Sequence, residues 1–200
     1  MYNADETRFP FQVKGKVVLS NVCHHNVYHL SSDSKAQITA LICICADGSV
    51  VPPYLLFPGK LKFDEMYGID FPPGAKGFAT ESGWMTRVAF QKWLVCVFIP
   101  HLPDYVSGRR VKIVLLVDGH KSHIDLEISK LCRENGIVLF KLPPHMSHVL
   151  QPCDRGYFAP FKNNWCKACA RWTREKLVPI IERCFGRVFK EAFYSNSRVT

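Results

Sequence analysis

Residues Val111–Gly119 read VKIVLLVDG. The run is short, nearly all apolar and rich in β-branched residues, which predicts a strand buried on both faces, as in parallel sheets. Asp118-Gly119 closes it, so the Asp118 side chain is expected at the carboxyl end of that strand. Sites in open α/β sheets gather at that end. Downstream, Leu126–Asn135 has helical spacing and stops at Gly136, a good C-terminal cap. Ile137–Leu142 then reads as another short strand, broken by Pro143-Pro144. Strand, helix and strand in that order point to an α/β layer architecture.

Upstream, Ile38–Ala46 reads ITALICICA and meets Asp47-Gly48, a strong hairpin dipeptide. Ser49–Phe57 is expected to return as the partner strand, with Pro52 and Pro53 placing it at an edge or a bulge. Lys14–Ala36 is mixed and polar, with a loop signal at Ser31–Ser34. Pro58–Gly83 is rich in Gly and Pro and reads as irregular. Thr86–Ile99 carries apolar residues near helical spacing, with Thr86 placed to cap it. From Gly156 onward the chain reads as helical, with a break near Pro179. The chain opens almost at Asp5-Glu6, so its first strand is expected to be clipped. The fold class is therefore α/β, a mixed central sheet flanked by helices.

Composition bounds the function classes. The chain has 200 residues, 48% hydrophobic and 22% charged, which excludes a mainly disordered chain, a collagen and a coiled coil. No apolar run approaches the roughly 20 residues of a membrane span. Met1–Pro10 lacks the pattern of a secretory signal. Nine cysteines are an odd number scattered through apolar runs, which fits a reducing compartment, nuclear or cytoplasmic. The net charge of +9 favours polyanionic partners without deciding the fold.

Two aspartates, Asp5 and Asp118, sit where strands are expected to end, and Asp154 lies where a helix opens. Taken singly, each is explained as a turn residue or helix cap. Taken together, three carboxylates would repel one another unless a cation neutralised them, and hard divalent cations prefer such oxygen ligands. Two metals about 3.5–4 Å apart activate the attacking oxygen and stabilise the leaving oxygen of a phosphodiester.

The flanking residues are NADETRF around Asp5, LLVDGHKSH around Asp118, and LPPHMSHVLQPCDRGYFAPFK around Asp154. They resemble the DDE superfamily endonuclease domain of pogo/Tigger-type transposases and their domesticated relatives. Ala46-Asp47-Gly48 with Pro52-Pro53, and Gly83-Trp84-Met85 ahead of Trp93, are similar too. The resemblance covers nearly all of Asn3–Trp172. It implies an RNase H-like fold, with residues 1–172 as the catalytic domain and 173–200 as a truncated helical extension. It implies that Asp5, Asp118 and Asp154 are the catalytic, metal-binding triad, using Mg²⁺ or Mn²⁺. The implied chemistry is cleavage and transfer of DNA strands: water attacks a phosphodiester at the element end, and the released 3′-hydroxyl attacks target DNA. DNA is the implied partner, the nucleus the implied location, and an oligomer is compatible with both. Such transposases carry helix-turn-helix domains ahead of the catalytic domain, while this chain begins almost at the first aspartate. A catalytically inactive, domesticated DNA- or chromatin-associated protein of the same fold is therefore the alternative.

Other residues carry weaker signals. His120, His123, His145 and His148 flank the acidic blocks and either orient water or phosphate at the site or are structural histidines. Gln151 and Ser147 are expected to fix the loop that presents Asp154. Glu6 should point to the opposite face from Asp5. Arg109, Arg110 and Lys112 open the strand leading to Asp118. Lys162, Lys167, Arg171, Arg174 and Lys176 are candidates for phosphate contact or form a solvated helix face. Trp165 and Trp172, seven apart, fit core packing on one helix face. Cys23-His24-His25 with His29, and Cys166 with Cys169, lack the paired spacing of a closed zinc site.

Overall fold

The computed structural model describes residues 1–11, 37–59, 70–103, 105–106, 109–110, 112–119, 125–143 and 147–197. Its strands are β1 (Tyr2–Pro10), β2 (Gln37–Cys45), β3 (Val50–Pro58), β4 (Lys76–Thr80), β5 (Tyr105–Val106), β6 (Arg109–Arg110), β7 (Ile113–Val117) and β8 (Ile137–Lys141). Six of them form one sheet in the order β4-β3-β2-β1-β7-β8, while β5 and β6 pair separately. β1, β2 and β3 pair antiparallel; β3 with β4, β1 with β7 and β7 with β8 pair parallel. The expected mixed α/β sheet is present.

The helices are α1 (Arg87–Trp93), α2 (Ile99–His101), α3 (Leu126–Glu134), α4 (Ser147–Leu150), α5 (Phe158–Lys176) and α6 (Glu182–Ser197). A π-helical turn, Leu94–Phe98, links α1 to α2, and another, Cys153–Tyr157, opens into α5. Local chemistry sets several ends. The Thr86 hydroxyl accepts from the Ala89 N–H at 3.2 Å and caps α1. Gly136, at φ 71°, follows α3 in the left-handed region that favours glycine. The break near Pro179 falls between α5 and α6.

Two details differ from the sequence expectation, and one alternative it left open is decided. β1 is nine residues long and pairs with β2 along its whole length, which holds Asp5 in mid-strand and not at a strand end. Its seam with β7 is short, with only Tyr2 against Leu115 and Asn3 against Leu116 in register. β3 is internal, and its prolines sit in a bulge: the register shifts between the Leu41–Tyr54 and Cys43–Val51 pairs, leaving Pro52-Pro53 outside the ladder. The Gly- and Pro-rich stretch also hides β4, a five-residue edge strand held by parallel pairing to β3. The Lys14–Ala36 loop reading lies outside the described residues.

Strand alternation splits the core. One face carries Phe9, Ile38, Ala40, Ile42, Leu55 and Phe57 against α5 and α6. The other carries Tyr2, Ala4, Leu41, Tyr54, Leu115 and Val117 against α1 and α3. Phe9 anchors the first face, meeting Phe161, Trp165 and Phe189 at ring-centroid distances of 4.8, 5.4 and 5.2 Å. Trp165 is buried there and donates from its indole to the Pro10 carbonyl at 3.2 Å; Trp172 packs partly buried against the same cluster. The boundary at 172 falls inside α5, and α6 packs into the same core through Phe185, Phe189 and Phe193.

Candidate active site

Asp5 shares its face of β1 with Asn3, Thr7 and Phe9, the face covered by α5 and α6. Only 9% of it is exposed. One carboxyl oxygen accepts from the Glu6 N–H at 2.8 Å. Glu6 itself alternates to the opposite face, as expected.

Asp118 follows β7 directly and is partly buried. The β1–β7 register pairs Tyr2 with Leu115 and Asn3 with Leu116. Carried two residues further, the same offset sets Asp5 level with Asp118. Parallel partners point to the same side of a sheet, so the two carboxylates share a face. Val117, one residue earlier, points into the opposite core.

Asp154 is exposed on the Cys153–Tyr157 turn. Its charge bears on Asp5. Burial pushes the Asp5 carboxyl up to about 7; the charges of Glu6 and Asp154 add to the rise, and the Gln151 amide and the Glu6 N–H oppose it. The Cys153 thiol is also pushed up by burial, and Asp5 and Asp154 both add to it. Gln151 is fully buried, and among the described residues neither of its amide atoms has a hydrogen-bond partner. Its amide still favours the charged form of Asp5, against the larger effect of burial.

Two residues near the site have structural roles that the sequence did not show, although Asn3 opens the quoted NADETRF stretch. Lys141 pairs with Val117 at the end of β8, and its side chain runs over Gly119. A β-carbon on Gly119 would lie 3.0 Å from the Lys141 Cε and 3.8 Å from its Nζ, so a glycine after Asp118 gives the lysine its path. Asn3 lies beneath the acids. Its side-chain oxygen accepts from the Cys153 N–H at 2.9 Å, and its amide nitrogen donates to the Leu116 carbonyl at 3.2 Å. Both were hidden because their partners are distant in sequence.

The remaining candidates divide. His120, His123 and His145 lie outside the described residues, as do Cys23, His24, His25 and His29. His148 falls in α4, and Arg109 and Arg110 form the backbone of β6. Lys162, Lys167 and Arg171 face solvent on α5, and Arg171 pairs with Glu191 at 2.7 Å. Exposed pairs of that type contribute little stability. Among the described residues, no three His, Cys, Asp or Glu side chains converge as a metal site. The donor set still fits a hard cation: oxygen ligands only, one carboxyl held up by burial and by like charge, and beside it an amide without a partner among the described residues.

Comparison with known proteins follows the same lines. The family described as DDE superfamily endonuclease matches residues 35–194, a span that includes Asp118 and Asp154 and begins after Asp5. The chain is 30% identical over 173 residues to a Cochliobolus lunatus protein named MFS-type transporter clz9, covering 82% of this chain and 18% of that protein. Among the described residues no helix is long and apolar enough to cross a membrane. It is 25% identical over 179 residues to the Homo sapiens pogo transposable element with KRAB domain, covering 86% and 27%. The chain therefore spans well under a third of these relatives. Among solved structures, the fold matches the pre-cleavage Mos1 transpososome with a TM-score of 0.54 at 12% identity, over 98% of this chain and 52% of that one. The Mos1 mariner paired end complex with Mn matches with the same TM-score and identity, over 99% and 52%. The sheet order and these likenesses make the fold RNase H-like. With most of its length matched by one family on that fold, the chain belongs to the DDE superfamily endonucleases as a transposase-like domain.

Proposed function

We propose that this domain cleaves and joins DNA strands using divalent cations held by Asp5, Asp118 and Asp154. What supports this is the β1–β7 register, which sets Asp5 level with Asp118 on one sheet face, together with the charge of Asp154 that bears on Asp5. Mg²⁺ or Mn²⁺, when bound, would supply Lewis-acid stabilisation of the attacking and leaving oxygens of a phosphodiester. The chain's own groups do the rest. Asp5 is held in mid-strand with one oxygen already fixed by the Glu6 N–H. Asp154, exposed on the Cys153–Tyr157 turn, would join the same cation from the solvent side, where a nucleic-acid backbone can approach. Lys141, over Gly119, adds a cation beside Asp118.

DNA is the proposed substrate, and the nucleus the proposed location. A net charge of +9 and the exposed Lys162 and Lys167 support a polyanionic partner, whose binding should weaken as salt rises. The test is nicking of supercoiled plasmid by wild type and Asp118→Ala, with Mn²⁺, Mg²⁺ or EDTA. Wild type should nick with either metal and not in EDTA, and the variant should lose about 100-fold or more in rate. Equal nicking by both proteins, or none by either, would remove the proposal.

A further inference from the structure

We propose that Asn3 is the positioning residue of the carboxylate site, one buried amide that sets the relative places of all three acid-bearing segments. This rests on Asp5, Asp118 and Asp154 holding a cation. Asn3 is 2% exposed and lies two residues before Asp5 on the same strand face. Its Nδ2 donates to the carbonyl of Leu116, two residues before Asp118, at 3.2 Å. Its Oδ1 accepts from the N–H of Cys153, the residue before Asp154, at 2.9 Å. The Cys153 thiol adds a weaker contact to the Asn3 carbonyl at 3.6 Å. Three acids from three distant stretches are thus referred to a single planar group.

Each bond fills a local need. The first N–H groups of a helical turn have no partner within it, and Pro152, ahead of the Cys153–Tyr157 turn, makes no capping bond. Asn3 supplies the missing acceptor from the sheet. β1 and β7 share only two registered pairs, and Asn3–Leu116 is one of them. The side-chain bond therefore reinforces the seam where it is shortest. An asparagine amide offers a donor and an acceptor on separate atoms of one short, planar group. Aspartate lacks the donor, leucine lacks both, and glutamine places both one methylene too far. Ligand sets tolerate misplacement of only about 0.5 Å, and partners behind metal ligands change affinity roughly 10- to 100-fold when lost.

The test measures Mn²⁺ affinity from the electron paramagnetic resonance of free Mn²⁺, beside thermal melting in EDTA. The proteins are wild type, Asn3→Leu, Asn3→Gln and Thr39→Val. Thr39 is a buried hydroxyl on β2 whose side chain alternates with Leu41 and Cys43, on the sheet face away from the acids. Thr39→Val should bind Mn²⁺ as wild type does. Asn3→Leu and Asn3→Gln should each raise the dissociation constant roughly tenfold or more, even where melting matches that of Thr39→Val. Asn3→Gln keeps the polar groups and serves where Asn3→Leu does not fold. Wild-type affinity in a folded Asn3 variant overturns the positioning role and leaves the cation site standing. No Mn²⁺ binding by wild type overturns both.

Discussion

The amide of Gln151 is fully buried beside the Asp5 carboxyl, and among the described residues neither of its polar atoms has a hydrogen-bond partner. A buried polar group without a partner costs about 1–3 kcal/mol. Gln151→Leu should therefore stabilise the metal-free protein by about that amount near pH 5, where Asp5 is protonated. It also removes an influence that lowers the Asp5 pKa, so Asp5 should titrate higher in the variant. Urea denaturation in EDTA checks the first effect, and carboxyl NMR titration the second. Destabilisation with an unchanged Asp5 titration would show that the amide has no part in the site.

Asp5 makes the stability of the metal-free protein depend on pH. Its folded pKa, about 7, lies above the ordinary carboxyl value of 3.8. The native state thus holds a proton that the unfolded state releases between those values. Stability from this group is fully present below pH 4 and falls as pH rises to about 7. The loss is on the order of 4 kcal/mol. Asp5→Asn should remove that slope, which the difference between the two proteins' urea midpoints from pH 4 to pH 8 would report. Parallel curves would show that Asp5 titrates normally.

Metal should act in the opposite sense. A ligand that binds only the folded state stabilises it by RT ln(1 + [L]/Kd), about 2.7 kcal/mol at a hundredfold excess over Kd. Mg²⁺ or Mn²⁺ should raise the melting temperature of wild type in a concentration-dependent way. Asp118→Asn removes a charge and a ligand together, so it should melt at or slightly above wild type in EDTA and respond weakly to metal. Identical titrations for the two proteins would remove Asp118 from the ligand set.

The C-terminal helix should prove indispensable to the fold. Phe189 meets Phe9, Phe161, Phe185 and Phe193 with ring centroids between 5.2 and 6.2 Å apart. Phe189→Ala should cost about 3–5 kcal/mol in urea denaturation. A chain ending at residue 172 strips Phe9 and Phe161 of that cover and should bind a hydrophobic dye without a cooperative melt. A cooperative melt near that of the full chain would show that residues 1–172 fold alone.

The sequence by itself determined what depends on near neighbours. The apolar run Ile113–Val117 reads as a buried strand ending at Asp118, and Asp47-Gly48 reads as a hairpin turn. Thr86 and Gly136 mark helix ends, and all four features stand where local chemistry places them. The family was legible too, because its motifs lie in continuous stretches around the aspartates. Only the tertiary structure decided the rest. β4 is a strand because β3 offers it a ladder, and β1 is long because β2 pairs it throughout. Asn3 ties residues 113 and 150 positions away, and the Asp5 carboxyl rises because the fold buries it and adds the charges of Glu6 and Asp154. Periodicity and capping are set within a few residues of chain, whereas burial, register and the meeting of distant charges exist only once the sheet has formed.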